Sequence, residues 1–219
     1  MTLQDDHSES SDESEADERP PVDFDDEKAE QLSRFLALVL RHRAPQFRLD
    51  MDDEGFVNID DLLDVIDERR TSLSWVEPEH IEELASAEGR KRFEVRGDDV
   101  RATYGHSFHR PISYPRAEPP EHLYIGVPRA QLSQLRASGI TPKDRQYVHL
   151  SESREEAEDI GHHHDENAVV VTVRAREAHD AGILFHRPTE GIFLATRVPP
   201  RHLDIVAEFG RRGRKRRSR

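Results

Sequence analysis

Two arginines and a histidine stand together in Leu40-Arg41-His42-Arg43. Guanidinium forks match phosphate oxygens in pairs and stay charged, and an imidazole donates a hydrogen bond or a proton near neutral pH. The tetrapeptide therefore carries the groups needed to grip phosphate. Basic residues at a helix C-terminus also complement the helix dipole, so by itself the cluster reads either way. A second group, Arg101-Ala102-Thr103-Tyr104-Gly105-His106-Ser107, falls on the return strand of a predicted hairpin and the loop after it. If Val100 and Ala102 face inward, period-two alternation turns Arg101 away from the core, toward a ligand or toward solvent. A third, Asp144-Arg145-Gln146-Tyr147-Val148-His149-Leu150-Ser151, flanks an apolar strand with polar groups suited to a ligand rim. His149 fits equally well as a core histidine bonded to a backbone carbonyl.

Other chemistries are excluded or weakly supported. The chain has no cysteine, which removes disulfides, thiolate metal sites and a cysteine nucleophile. Asp50, Asp52, Glu54, Gly55 and Asp61 approach a calcium-loop spacing but depart from it at the fifth and twelfth positions, and they also suit an ordinary turn before a capped helix. His162-His163-His164 invites a zinc or nickel reading, yet adjacent side chains point in different directions, and a solvated loop is the expectation. No metal is expected. The formal charge of −13 describes solubility and long-range approach, and does not prevent local arginines from binding an anion. Its bases are almost all arginine, a composition that fits either a salty cytoplasm or a simple compositional bias. No apolar run is long enough to cross a bilayer and the acidic N-terminus lacks signal-peptide features, so a soluble cytoplasmic protein is expected.

The elements that must position these groups follow from hydrophobic periodicity. Residues 1–28 are acidic and nearly free of large apolar side chains, which predicts a disordered tail; residues 210–219 form a basic one. Leu32, Phe35, Leu36, Val39 and Leu40 make the apolar stripe of a helix ending near Arg41-His42. Ile59, Leu62, Leu63 and Ile66 predict a second helix capped by Asn58 or Asp60, and Ile81, Leu84 and Ala85 a third after Pro78, stopping at Gly89. Phe93–Val95 and Val100–Ala102 flank an Arg96-Gly97-Asp98-Asp99 turn as a hairpin. Helices followed by a hairpin suggest a winged-helix lobe over residues 29–110. A proline-containing linker, 111–120, leads to a second lobe, 121–209, with short strands at 123–125, 148–150, 168–173, 183–185 and 192–194 and helices near 132–135 and 155–160. The fold class expected is α+β.

In this order the motifs form a set. Leu40-Arg41-His42-Arg43, Asp53-Glu54-Gly55-Phe56 leading to Ile59-Asp60-Asp61-Leu62, Arg101-Ala102 with Gly105-His106-Ser107, and Tyr147-Val148-His149-Leu150-Ser151 together resemble the RNA 2′-phosphotransferase family from about residue 30 to residue 206. The resemblance implies a winged-helix lobe that engages RNA and an ADP-ribosyltransferase-like mixed α/β lobe that holds NAD as co-substrate. It implies a catalytic tetrad of Arg41, His42, Arg101 and Arg145, with Arg43, His106 and Ser107 near the substrate phosphate. Tyr124, Gly126, His149, Leu150 and Ser151 are the implied cofactor-binding residues. One stretch departs: Leu123-Tyr124-Ile125-Gly126-Val127 stands where relatives commonly carry histidine-glycine-threonine. Ile125 and Val127 supply neither imidazole nor hydroxyl, leaving more of the nucleotide contacts to His149 and Ser151.

The implied reaction removes an internal 2′-phosphate from RNA, with spliced tRNA as the expected partner of a monomeric enzyme. A 2′-phosphate oxygen attacks the anomeric carbon of the NAD ribose and nicotinamide leaves; the ribose 2″-hydroxyl then takes the phosphoryl group, giving 2′-hydroxyl RNA and ADP-ribose 1″,2″-cyclic phosphate. Both steps depend on positioning and on holding charge at phosphoryl oxygens. Two rivals remain open at this level: an ADP-ribosyltransferase that stops after the first step, and an RNA-binding relative without catalysis.

Overall fold

The computed structural model describes residues 24–87 and 91–205. Residues 1–23 of the predicted acidic tail, the whole of the basic one, and Gly89 lie outside the described residues. The acidic segment expected as tail to residue 28 gives way to helix at Asp26. Asp25 caps helix α1 (Asp26–Leu38), its carboxylate accepting from Lys28 N at 2.9 Å, with Asp26 and Glu27 in the first turn. An acidic run that looks like tail is here the chemistry of a helix N-terminus.

α1 buries Leu32, Phe35 and Leu36, then continues into a π-helical turn, Val39–Arg43, and a 3₁₀ turn, Ala44–Phe47. Arg41 and His42 thus sit in a widened turn inside a longer helical segment. Pro45 accounts for part of the change: it has no N–H for the Arg41 carbonyl four residues earlier, and its ring crowds that carbonyl. The Arg41 carbonyl instead accepts from Ser107 N at 2.9 Å, which docks a distant loop onto the turn.

Asn58 caps α2 (Ile59–Arg69), accepting from Asp60 N and Asp61 N at 3.0 and 3.3 Å. α3 (Pro78–Ser86) begins with proline, and the His80 ring accepts from the Glu77 backbone. β2 (Phe93–Arg96) and β3 (Asp99–Ala102) form the expected hairpin. A third strand, β1 (Val57–Asn58), pairs with β3, giving an antiparallel sheet of order β1-β3-β2. Its two residues are too few for any periodicity to reveal.

The second sheet is antiparallel throughout, in the order β7-β8-β5-β4-β6-β9: β4 (His122–Pro128), β5 (Val148–Ser151), β6 (Ala168–Arg174), β7 (Phe185–Thr189), β8 (Ile192–Ala195) and β9 (Leu203–Asp204). Helices α4 (Leu132–Ser138), α5 (Arg154–His164) and α6 (Ala175–Asp180) connect these strands. The architecture is α+β. α6 and β9 are too short for hydrophobic periodicity to reveal, and His162-His163-His164, expected in a loop, form the last turn of α5.

The predicted linker is not merely a spacer. Ile112 and Tyr114 are buried in a core shared with α1, α2 and the first sheet, and Ile192 and Leu194 of β8 belong to that same core. Phe193 and Ala195, pointing the other way, enter a second core with Leu123, Val148, Leu150, Val171 and Phe185. One strand's period-two alternation therefore fastens both halves of the protein. α5 lies close on β4: a Cβ at Gly126 would sit 2.2 Å from the Ala157 carbonyl oxygen and 2.6 Å from Gly161 Cα. Among the described residues, no helix is long and apolar enough to cross a membrane.

Candidate active site

Three segments far apart in sequence meet around Arg41: the π-helical turn, the loop after β3 and the approach to β5. Arg41 is 7% exposed, and its Nε and one terminal nitrogen are buried without a hydrogen-bond partner. Its guanidinium lies over the Tyr104 ring, 5.1 Å from the centroid. Burial pulls its pKa down to about 10; Tyr104 opposes this, while Arg92 and Arg145 add to it. Arg41 stays cationic at neutral pH. Arg145 reaches the same place from the other side. A Cβ on Gly105 would be 3.2 Å from an Arg145 terminal nitrogen and 3.4 Å from Arg41 Nε, so Gly105, at φ +96°, is where both guanidinium groups converge.

His42 Nδ1 lies 2.7 Å from Ser107 Oγ. Burial, then Arg145, Arg41 and Arg43, lower the His42 pKa, so the ring is neutral at pH 7 and gains affinity for a proton when an anion arrives. Ser107 and Arg43 are exposed, and Arg43 is held at the site by its place in the turn. Gln146, beside Arg145, staples the loops. Its backbone donates to the His106 carbonyl, and its side chain bonds the backbones of Phe108, Arg110 and Ile112.

Two histidines lie beneath, His106 buried and His149 partly buried. His106 Nδ1 is 2.7 Å from the Tyr114 hydroxyl, and its Nε2 faces Gly55 with no partner. Burial, reinforced by Arg41, Arg101 and His42, holds its pKa down at about 3. His149, on β5, is lowered likewise to about 3 by burial and then Arg145, Arg41 and His106. Its ring packs 5.7 Å from that of Tyr104, and its Nε2 has no partner. His149 thus has the backbone hydrogen bond of a core histidine, at Tyr147, and one ring nitrogen left over. Ser151 faces the same way as His149, two residues along β5, and pairs across the sheet with Tyr124.

Arg101 stands differently from expectation. Alternation was to turn it outward, but it is 7% exposed. Its Nε and a terminal nitrogen donate to Glu94 Oε2 at 2.9 and 2.6 Å, the other terminal nitrogen donates to the Glu54 carbonyl at 3.0 Å, and the guanidinium stacks 4.5 Å from Phe56. Its charge reaches the group through His106, whose pKa it lowers. The face opposite Val100 and Ala102 is covered by the Asp52–Phe56 turn, which alternation alone does not reveal. Two of the named cofactor residues also take other positions. Gly126 is pressed against α5, and the Leu150 side chain is fully buried in the second core. Val127 is buried there too, with Ile125 packed against it. Tyr104, Tyr114, Gln146, Glu94 and Arg92 were not singled out from the sequence; the residues flanking Gly105 and Arg145 were the available signal for Tyr104 and Gln146.

The carboxylates of the calcium-like stretch have other partners. Asp52 accepts from the Glu54 and Phe56 backbones, Asp53 pairs with Arg110 and Glu54 with Arg96, so these carboxylates build a turn. Among the described residues no group of three or more histidines and carboxylates is arranged to hold a metal.

The sequence matches the profile of the RNA 2′-phosphotransferase, Tpt1/KptA family over residues 27–197. The chain belongs to that family. It is 37% identical over 185 residues to a Methanosarcina barkeri protein named "Probable RNA 2′-phosphotransferase", covering 84% of this chain and 87% of that one. Relatives with the same printed name are 33% identical in Pyrococcus horikoshii, covering 77% of this chain and 93% of the other, and 33% identical in Streptomyces griseus, covering 82% and 98%. The matched region contains Arg41, His42, Arg101, Ser107 and Arg145 together.

Proposed function

We propose that this family member removes an internal 2′-phosphate from RNA, with NAD as co-substrate and spliced tRNA as the RNA. The observation that carries the reading is the charge imbalance at the centre. In a chain with 45 acidic and 32 basic residues, Arg41 and Arg145 converge with no carboxylate in salt-bridge contact among the described residues. Arginines elsewhere, such as Arg34, Arg110, Arg174 and Arg187, are paired with acids. Like charges held together without a counter-ion are costly, and a phosphate monoester with about −1.5 to −2 charge relieves that cost.

Arg41 and Arg145 clamp the phosphoryl oxygens. His42, neutral in the free enzyme and oriented by Ser107, takes or returns a proton at Nδ1 or Nε2 as phosphate charge changes. Arg101 presents its remaining N–H groups and its field from behind His106. The partnerless His149 Nε2, on the same face as Ser151 and Tyr124, suits a polar ligand, and these residues would hold NAD. When bound, NAD supplies an electrophilic ribose carbon and a neighbouring hydroxyl that accepts the phosphoryl group. The first lobe, with its helices and hairpin wing, engages the RNA, and the second is the ADP-ribosyltransferase-like half.

Incubation of a 2′-phosphorylated oligonucleotide with NAD tests this. The expected products are 2′-hydroxyl RNA, nicotinamide and ADP-ribose cyclic phosphate, with loss of turnover in Arg145→Ala. A stable ADP-ribosylated RNA would instead mark an enzyme that stops after the first step. Unchanged turnover in Arg145→Ala would remove the clamp from the mechanism.

A further inference from the structure

A further arginine, Arg92, lies near this centre, its guanidinium 5.9 Å from the centroid of the Phe93 ring. Arg92 is exposed and has no carboxylate in salt-bridge contact among the described residues. One terminal nitrogen donates to Ser33 Oγ at 2.9 Å, and the Ser33 hydroxyl is itself on a residue only 6% exposed. Ser33 lies on the helical segment that carries Arg41, eight residues earlier. Ser33 precedes Arg41 by about two turns, the second of them widened, and helical side chains lean toward the N-terminus, so the long Arg41 side chain extends in the direction of the Ser33–Arg92 pair. The Arg92 carbonyl accepts from Thr103 N at 3.0 Å, which fixes its strand beside Tyr104, the ring under Arg41. The proximity has an electrostatic signature: after burial, Arg92 is the strongest of the cations lowering the Arg41 pKa, ahead of Arg145.

The chemistry of the substrate explains a cation in that place. An internal 2′-phosphate shares its ribose with a 3′–5′ phosphodiester on the neighbouring carbon, so two phosphorus centres arrive together. The monoester carries about −1.5 to −2 and the diester about −1, more negative charge than Arg41 and Arg145 alone balance. A terminal phosphomonoester would leave Arg92 without a partner.

We propose that Arg92, held by Ser33, forms a second anion subsite that binds the phosphodiester flanking the 2′-phosphate and so selects internal over terminal 2′-phosphates. The inference rests on the RNA 2′-phosphotransferase reading and adds a specificity residue to it. Ser33 consumes one of the five guanidinium N–H donors and orients the rest.

The test is a chemical double cycle. Two 2′-phosphorylated oligonucleotides are compared, one with the flanking 3′–5′ phosphodiester and one with a neutral methylphosphonate there, against the full-length wild type, Arg92→Ala and Arg92→Lys. We expect Arg92→Ala to lower kcat/KM on the diester about tenfold, through KM, and to change it little on the methylphosphonate. Arg92→Lys should recover part of the loss. Losses that simply multiply, so that Arg92→Ala is equally damaging on both substrates, overturn the subsite. The same cycle is run on binding by fluorescence anisotropy without NAD. Coupled binding with no turnover by the wild type would keep the subsite and reject the catalytic reading; absence of coupling in binding rejects the subsite whether or not the enzyme turns over.

Discussion

Gly105→Ala isolates the convergence of the two clamp arginines from every other consequence of losing a glycine. At φ +96° the backbone of Gly105 is in a region that L side chains rarely adopt, and alanine there costs about 1–3 kcal/mol. For a chain of this length that is a fall in Tm of roughly 2–12 °C. Gly182, at φ +93°, carries the same backbone penalty, but a Cβ there meets nothing within 4 Å. The two variants should therefore lose similar stability. Only at Gly105 does the new methyl stand 3.2 Å from the Arg145 guanidinium and 3.3 and 3.4 Å from Arg41 Cδ and Nε. Those flexible side chains yield by a few tenths of an ångström, which is cheap for folding. It is not cheap for the proposed phosphate clamp, which would have to hold a phosphoryl group to within about 0.5 Å, where a displacement of about 1 Å costs roughly a hundredfold. We expect Gly105→Ala to lose about tenfold in kcat/KM on a 2′-phosphorylated oligonucleotide and a similar factor in phosphate affinity by calorimetry. Gly182→Ala should keep both. Equal activity and equal phosphate affinity in the two variants, at matched losses in Tm, would show that Gly105 is not where the clamp closes.

Three further outcomes follow from the same contacts. The Glu94–Arg101 pair should show a coupling of about 1–3 kcal/mol in a double-mutant cycle of Glu94→Ala and Arg101→Ala by urea denaturation; additive losses would mean that the two side chains act independently. His106 and His149 are held neutral down to about pH 3, whereas in the unfolded chain they take up protons near pH 6.5. The unfolded state thus binds more protons between those limits, and stability falls as pH drops through that window by about 1.4 kcal/mol per pH unit for each histidine. His149→Phe should reduce the slope by about that amount, and an unchanged slope would show that His149 titrates normally. Gly126→Ala drives a Cβ into the backbone of α5, 2.2 Å from the Ala157 carbonyl, and should cost about 3 kcal/mol or more in chemical denaturation; a wild-type midpoint would contradict the close approach of β4 and α5.

Much of the protein is legible along the chain because burial repeats with the period of the local element. Leu32, Phe35 and Leu36 mark the buried stripe of α1, Asn58 announces α2, and the turn around Gly97 announces the hairpin. The residue types of Arg41, His42 and Arg145 already specify affinity for phosphate, since guanidinium and imidazole keep that chemistry in any fold. Periodicity says which face is covered and not by what. Arg101 looked outward until the Asp52–Phe56 turn and Glu94 covered it, and Ile112 and Tyr114 looked like linker until both cores closed on them. The short β1 and β9 exist only through pairing with strands distant in sequence. The sequence by itself determined that cationic groups able to hold a phosphate are present. That Arg41 is buried with Arg145 converging on it at Gly105, and with no carboxylate in salt-bridge contact among the described residues, was decided by tertiary packing, which brings the turn at 39–43, the loop at 103–107 and the approach to β5 together. The affinity of such a centre depends on uncompensated charge in a shielded place, a property of the assembled fold and not of any one segment.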